Sequence, residues 1–410
     1  MKHPESKRHG TEAADTAFVP TRSAALARIG AVQPDAYAAT RNAIDGAVTR
    51  LSPYITHGLV TLPEVLADVA TRYPLPLQHR FVQELGWREF FRHVWARRGD
   101  GILQSLHPGP LPDGAYARAM PDDIRGAATG VPVVDEAVRE LAGTGWLHNH
   151  ARLWLASYVV HLRKVHWRTG ADWMLSQLID GDLASNHLSW QWVAGTGSHK
   201  PYLFNAGNVA RHAPAPWHSR GSVVDTSYDA LEALAGSDRR VPPGRGGASV
   251  DAPALHSAPP REAGFSTPWP DAVTGRDVWL VHPWSLRPPP ADLPAGTVVI
   301  GLALHEWHDA WPWTTRRWQF VAGAMATLTR ERWHATRDQV AAALQQARSV
   351  QAVSDPHAEP ALSTLARTRP APRLFGEVDR LCPSFSSWWT QVTRGLVSVR
   401  ELPGMADPTG

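Results

Sequence analysis

The stretch DGDLASNHLSWQWVAGTG, residues 180–197, sets two carboxylates, an amide and two tryptophans before a glycine-rich exit. Asp180, Asp182 and Asn186 fall within seven positions, and Trp190 and Trp192 follow them. Taken alone, the stretch fits two structures equally well: a turn followed by a buried segment, or a polar site walled by indole rings. The rest of the chain has to decide between them.

The composition bounds the class of protein. A chain of 410 residues with 43% hydrophobic residues has room for two or three globular domains. Cys382 is the one cysteine, which rules out a disulfide within the chain and leaves almost no room for a cysteine-based metal site. We find no signal-peptide pattern and no run of about 18 apolar residues. The sequence therefore predicts a cytoplasmic protein with no metal and no membrane partner.

Charge and tryptophan content give a first indication of partners. Residues 20–220 hold 20 Lys and Arg against 16 Asp and Glu, and the whole chain carries a net charge of +3. So small a basic excess is compatible with a phosphate-rich partner and with an ordinary solvated surface. Tryptophan occurs 19 times, roughly three times its usual frequency. Core packing, ring stacking and electron transfer are the uses to weigh.

Hydrophobic periodicity divides the chain into two unlike halves. Helices are predicted at 132–145, which begins at Pro132 and ends at Gly145, at 151–162, a buried helix, and at 171–180. After a segment rich in Pro, Gly, Ala and Ser, strands at 277–282, 298–304, 332–335 and 349–355 alternate with helices at 315–328, 337–347 and 357–366. This alternation predicts a parallel sheet with helices on both faces. No glycine fingerprint for a dinucleotide follows a strand.

These patterns predict four segments. They are a disordered tail (1–20), an all-α helical domain (21–220), a Pro/Gly-rich linker (221–275) and an α/β domain (276–410).

Three motifs carry a resemblance to a known family. ELGWREF (84–90), TGWLHNHAR (144–152) and the opening stretch together resemble the FAD-binding helical domain of the cryptochrome/photolyase family, over roughly residues 35–205. The resemblance implies that the helical domain binds FAD.

The same resemblance assigns flavin contacts residue by residue. A buried Arg152–Asp180 pair is expected beside the flavin ring, Asp182 near its pyrimidine edge, and the Asn186 amide opposite its central-ring nitrogen. The implied FAD-binding residues are Tyr37, Thr49, Arg50, Leu51, Ser52, Trp146, Asn149, Arg152, Asp180, Asp182 and Asn186. Of these, Tyr37 and residues 49–52 would contact the phosphates.

On the substrate side the resemblance implies a DNA lesion site. Glu84, Trp87, Asn149 and Trp192 match the residues that hold a flipped pyrimidine dimer, with Trp87 and Trp192 as walls that contact the DNA bases. Arg41 is an expected phosphate contact. Burial would raise the pKa of Glu84 and so favour its protonated form, which can donate a hydrogen bond to a base carbonyl.

Electron supply is where the chain departs from the family. Trp190 and Trp167 match the first two tryptophans of the family's electron-transfer chain, but residues 101–130 contain no third, and Tyr116 is the nearest aromatic residue. Helix packing is the alternative use of these tryptophans.

Three further features qualify the resemblance. Members that repair the (6-4) photoproduct carry a histidine pair, whereas the matching positions here are Asn149 and Leu153, which favours cyclobutane dimers. The sequence of residues 198–219 differs from the family pattern, in a loop that borders the cavity. The α/β domain follows the helical domain instead of preceding it, and whether it holds a second, antenna chromophore is left open.

The predicted function is blue-light-driven, FAD-dependent splitting of cyclobutane pyrimidine dimers in DNA. Two alternatives remain. One is a cryptochrome-like photoreceptor that signals through a protein partner. The other is a flavin-binding relic whose C-terminal domain mediates assembly.

Overall fold

The structure is a computed structural model that describes residues 18–198, 200–244 and 249–408. Most of the predicted disordered tail, residues 1–17, lies outside the described residues. Within the described ranges, we find no helix with the length and apolar character needed to cross a membrane.

The N-terminal half is helical, as predicted. Its helices are α1 Arg22–Gly30, α2 Pro34–Thr40, α3 Ser52–Thr56, α4 Leu62–Arg72, α5 Arg80–Arg98, α6 Asp122–Arg125, α7 Pro132–Thr144, α8 Asn149–Ser157, α9 Trp167–Gln177, α10 Leu183–Ala194 and α11 Ala206–His212. Short 3-10 turns cover Gly99–Leu103, Asp113–Ala115 and Ala215–Trp217.

Local signals explain several of these helix ends. Thr61 and Glu64 form a capping box at the start of α4, each side chain accepting from the other's backbone N–H. Pro132 occupies the first turn of α7, and Gly145 ends it in the left-handed region at φ 68°. The prediction of a helix over 132–145 is confirmed.

The buried helix predicted over 151–162 is formed by two joined segments. Helix α8 is followed directly by a π-helical turn, Tyr158–Leu162, in which every residue is buried. Apolar side chains on all sides explain this burial. The segment therefore crosses the middle of the helical half and supports α9 and α10.

The segment 221–275 contains ordered elements. Helix α12, Tyr228–Ala235, buries Leu231, and the ammonium group of Lys164 donates to the carbonyls of Leu234 and Ala235 at its end. Strand β1, Leu255–His256, pairs with β4, Trp313–Thr314. The predicted domain bounds at 220 and 275 stay predictions.

The C-terminal half contains the predicted parallel sheet. Its strands are β2 Asp277–Val281, β3 Val298–Leu304, β5 Arg332–Ala335, β6 Ser349–Val353 and β7 Arg367–Arg369. They are all parallel, in the order β5-β3-β2-β6-β7. The helices of this half are α13 His305–Ala310, α14 Thr315–Ala326, α15 Arg337–Leu344, α16 Ala361–Leu365 and α17 Phe385–Val392. Strand β2 is buried at every position, so both faces of the sheet are covered there.

One hydrophobic core joins the first helices to the sheet. It contains Val65 of α4 and Phe81 of α5 together with Leu280 of β2 and Ile300 of β3. A second core lies among α7 to α12. The segment after the carboxyl end of β6 contacts the quoted stretch, since Nε2 of His357 accepts from the backbone N–H of Leu183 at 3.1 Å.

Candidate functional site

The loop between α9 and α10 carries the two carboxylates. Asp180 is buried, and its two oxygens accept hydrogen bonds from Nη2 of Arg152 at 3.0 and 2.7 Å. Arg152 is held a second time, because its Nε donates to the carbonyl of Leu147 at 2.8 Å. The structure therefore brings Arg152 and Asp180 together in a fixed geometry, and their contact with a flavin stays a prediction.

Asp182 belongs to a second group of charges. Its Oδ1 caps α10 by accepting from the backbone N–H of Ser185 at 2.9 Å, and its Oδ2 accepts from Arg92 at 2.8 Å. Arg88 lies 3.7 Å from the same oxygen. Burial alone would raise the pKa of Asp182, but these guanidinium groups lower it well below its ordinary value. Both oxygens thus have protein partners before any ligand is considered.

Asn186 presents its side chain in one orientation. Its Nδ2 donates to the backbone carbonyl of Ala171 at 2.8 Å, and the residue is 8% exposed. Because a carbonyl partner needs the amide nitrogen, the side-chain oxygen is the atom left to face a ligand. An oxygen in that position accepts from a protonated ring nitrogen.

The expected phosphate contacts at 49–52 lie beside Trp146. Its indole N–H donates to Oγ of Ser52 at 3.1 Å, and the guanidinium of Arg50 lies 4.5 Å from its ring centroid. Arg50 has φ 51°, in the left-handed region that favours glycine. Leu51 is buried, and its N–H lies 3.4 Å from the Thr49 hydroxyl. The segment thus holds the Arg50 guanidinium over the Trp146 indole, with the Arg50 backbone in a conformation that is strained for any residue but glycine.

A third group contains Glu84, Arg41 and Tyr37. The Glu84 carboxylate lies 3.4 Å from Arg41. Burial raises the pKa of Glu84, against the lowering effect of Arg41 and Arg80. Tyr37 packs its ring edge-on to Phe81 at 5.7 Å, and burial raises its pKa as well.

Trp87 has one ring face covered by the chain itself. Its ring stacks on Phe385 of α17 with centroids 4.2 Å apart and planes 9° apart. Phe91 lies 5.5 Å away and tilted, and Phe90 meets the ring edge-on. A base can therefore stack only on the other face of Trp87.

Trp192 and Asn149 are open to solvent. Trp192 is 43% exposed and leans on Tyr202, at 5.4 Å between ring centroids. Asn149 is the exposed first residue of α8. In the described part of the chain, no ring contact joins Trp192 to Trp87, so the two predicted walls remain separate surfaces.

The two predicted electron donors are buried. Trp190 packs against Gly170, where an added Cβ would lie 2.3 Å from its ring. Trp167 donates its indole N–H to the hydroxyl of Ser105 at 2.9 Å. Trp190 lies one turn after Asn186 on α10, and Trp167 lies one turn before Ala171 on α9, whose carbonyl accepts from the Asn186 amide.

Aromatic rings continue outward from Trp167 in two directions. Tyr116 lies beyond His166, with centroids 6.2 Å apart. On the other side, His187 contacts Trp167 at 6.3 Å and Trp311 at 5.6 Å. Trp311 belongs to the α/β half and was not among the predicted donors.

Five residues of this site were missed at the sequence level. They are Arg88, Arg92, Arg317, Asp355 and His357. Arg92 lies one helical turn after Arg88 of the quoted motif, a spacing that places both on one face and that could have indicated it. The other three come from the α/β half, and no local pattern connects them to residues 180–186.

Comparison with protein families agrees with the motifs. Residues 81–215 match the family model for the FAD binding domain of DNA photolyase. This segment contains α5 to α11, including the Arg152–Asp180 pair and Asn186. An FAD-binding domain is thus present, and the predicted fold class and cofactor are confirmed.

Curated relatives match over part of their length. A deoxyribodipyrimidine photo-lyase from Streptomyces griseus is 39% identical over 37% of this chain and 33% of its own. One from Salmonella typhimurium is 34% identical over 49% and 46%. A cryptochrome DASH from Oryza sativa is 30% identical over 44% and 33%. The chain therefore spans a third to a half of the length of these relatives.

Solved structures that match part of this chain include a cryptochrome from Synechocystis and an archaeal photolyase from Sulfolobus tokodaii. The first has a TM-score of 0.41 and 28% identity, covering 47% of this chain and 43% of that one. The second has a TM-score of 0.42 and 22% identity, covering 52% and 50%.

Proposed function

We propose that the chain is a light-driven, FAD-dependent photolyase that splits cyclobutane pyrimidine dimers in DNA, because residues 81–215 match the family model for the FAD binding domain of DNA photolyase and two photo-lyases are 39% and 34% identical over the parts they share. The observation that carries the repair role is Glu84. It lies one turn before Trp87 on α5, half-buried, with a pKa raised by burial. A higher pKa favours the protonated carboxyl, which can donate a hydrogen bond to a base carbonyl, and a pure photoreceptor does not require such a donor.

The residues present fit FAD. Cationic Arg152 and Arg88, an outward amide oxygen on Asn186, and Arg50 held over Trp146 form a donor set suited to a flavin ring with an anionic pyrophosphate. Bound FAD would supply light absorption and single-electron transfer, while the protein supplies position and electrostatics.

On the DNA side, each residue has a separate task. Arg41, paired with Glu84, would hold a phosphate near the lesion. Exposed Trp192 and the free face of Trp87 would stack on the extruded bases, since an indole face is a good platform for any base. Trp190 and Trp167 would pass electrons to the flavin through the α9–α10 contact.

Trp87 also supports the second candidate, a photoreceptor without repair activity. Phe385 covers one of its faces at 4.2 Å. If the helix carrying Phe385 narrows the lesion site as well, a flavin protein that signals to a protein partner is the function that remains.

One experiment separates the two. The full chain is purified, its FAD is identified by absorbance, and the reduced protein is illuminated with single- and double-stranded DNA containing dimers. We expect dimer loss that E84A slows and that E232Q, a change at an exposed glutamate of α12, does not. No dimer loss with fully reduced FAD would favour the photoreceptor.

A further inference from the structure

The α/β half contacts the flavin-site loop from behind through a buried arginine. Arg317 of α14 is 1% exposed, and its Nη2 donates to the carbonyl of Gly181 at 2.6 Å while Nη1 lies 3.3 Å from the carbonyl of Leu175. Its guanidinium lies 4.1 Å from the ring centroid of Trp313. A Cβ at Gly181 would lie 2.5 Å from Nη1, so the glycine between the two aspartates makes room for this arginine.

A buried carboxylate approaches the same loop from another strand end. Asp355, after β6, accepts from Nη1 of Arg92 at 2.7 Å, while Nη2 of the same arginine donates to Asp182 at 2.8 Å. The other carboxylate oxygen of Asp355 accepts from Nδ1 of His357 at 2.6 Å. Nε2 of His357 in turn accepts the backbone N–H of Leu183 at 3.1 Å. Asp355 is therefore tied to both ends of the loop segment 182–183.

These two residues place opposite charges near the site carboxylates. The pKa of Arg317 is lowered to about 9, because burial outweighs the raising effect of Asp180 and Asp182. The guanidinium therefore stays protonated at neutral pH. The pKa of Asp355, which burial would raise, is lowered by Arg92 and His357, so this carboxylate stays ionised. Inside the protein such charges act over a longer range than at the surface, because little water screens them.

We propose that Arg317 and Asp355 are positioning residues of the flavin site, through which the α/β half sets the reduction potential of bound FAD with opposite signs. Arg317 adds a positive charge behind Asp180 and Asp182. Asp355 partly neutralises the positive charge of Arg92, the cation that also pairs with Asp182. A nearby cation stabilises the reduced, anionic form of a flavin, and a nearby anion destabilises it. The inference rests on the FAD binding of the proposed function, not on repair.

The test is a potentiometric titration of the FAD-bound full chain at one pH, followed by visible absorbance. R317M removes the cation and is expected to lower the midpoint potential. D355N removes the anion and is expected to raise it. We expect each change to alter the ratio of reduced to oxidised flavin at fixed potential about tenfold, which is about 30 mV for a two-electron couple. R317K keeps the charge and is expected to remain near the wild-type potential.

Two controls separate charge from damage to the fold. R316M changes the exposed neighbour of Arg317 on α14, and D338N changes an exposed aspartate of α15. Both are expected to leave the potential unchanged. FAD content and melting temperature are measured first for every variant. If R317M loses its flavin, the comparison of R317K with D355N decides, because only D355N should then shift the potential.

Shifts of the same sign in R317M and D355N would overturn the proposal, since a loosened site moves both alike. Shifts no larger than those of the controls would overturn it too. A wild-type chain that binds no FAD would overturn the proposed function and this inference together. A wild-type chain that binds FAD and repairs no dimer would leave the potential shifts as the deciding result here.

Discussion

Arg92 of α5 and Asp355 after β6 are joined by a 2.7 Å ion pair, although 263 positions separate them in the chain. The same guanidinium reaches Asp182 at 2.8 Å. Both carboxylates are buried, so the arginine compensates two charges that water does not reach. Through this contact, the conformation of the loop that carries Asp182 depends on the sheet being folded.

R92M is therefore expected to destabilise the protein more than an ordinary surface change. Removing Arg92 takes away the cation that the buried Asp182 and Asp355 share and leaves only the more distant Arg88 beside Asp182 and His357 beside Asp355, at a cost of about 3–5 kcal/mol. Urea unfolding of the two proteins measures the difference in the free energy of unfolding. R98M, on the exposed end of the same helix, is the control and should change it by less than about 0.5 kcal/mol. An R92M protein as stable as R98M would contradict the network.

The same network predicts how the stability of the fold depends on pH. The folded pKa values of Asp182 and Asp355 lie below the unfolded value of 3.8. Their contribution to stability is therefore complete above that value and is lost as pH falls below it. We expect the melting temperature to drop steeply as pH falls below about 4 in the wild type, and less steeply in D355N. The exposed-site control D338N should follow the wild type; a D355N protein with the full acid drop would count against the pairing.

The local elements were predictable because each has a local cause. The strand over 298–304 is confirmed residue for residue, and the helix of 132–144 begins and ends at the proline and glycine that indicated it. The Arg152–Asp180 pair could be expected since a motif supplied both partners. Hydrophobic periodicity and capping act within a few residues, and a single sequence displays them.

The unpredicted part comes from contacts distant in sequence. Asp355 and His357 follow a strand and resemble any polar loop until the fold brings them to residues 182 and 183. Helix α17 carries Phe385 to Trp87, and nothing in either segment encodes the other. Asp182 was expected at a flavin edge, yet its shortest side-chain contact is with Arg92, because tertiary packing supplied a cation that the motif did not contain.

Glu84 gives a prediction for the pH dependence of repair. Since burial raises its pKa, the protonated form that donates to a base carbonyl is lost as pH rises through that raised value. The repair rate of the wild type, measured per reduced FAD, should fall with rising pH. E84Q keeps a donor without a titrating group, so its rate should be flat, whereas E84A should lose about a hundredfold. A wild-type profile identical in shape to that of E84Q would remove Glu84 from this role.

Gly86 tests whether α17 supports Trp87. An added Cβ at Gly86 would lie 2.7 Å from Cζ3 of Trp389, which itself stacks near Phe385 at 5.4 Å. G86A should therefore push α17 away from α5 and cost about 1–3 kcal/mol of stability, as overpacking does. G143A is the matched control, because a Cβ there meets nothing within 4 Å and alanine favours a helix by up to about 1 kcal/mol.

The functional consequence of G86A follows from the stack between Phe385 and Trp87. If the covered face fixes the orientation of Trp87, G86A should weaken binding of dimer-containing DNA while FAD content stays at the wild-type level, both measured on the same preparation. G143A should change neither. Tighter binding of the lesion by G86A would instead mean that Phe385 obstructs the site, and the photoreceptor role would then explain the helix better than repair does.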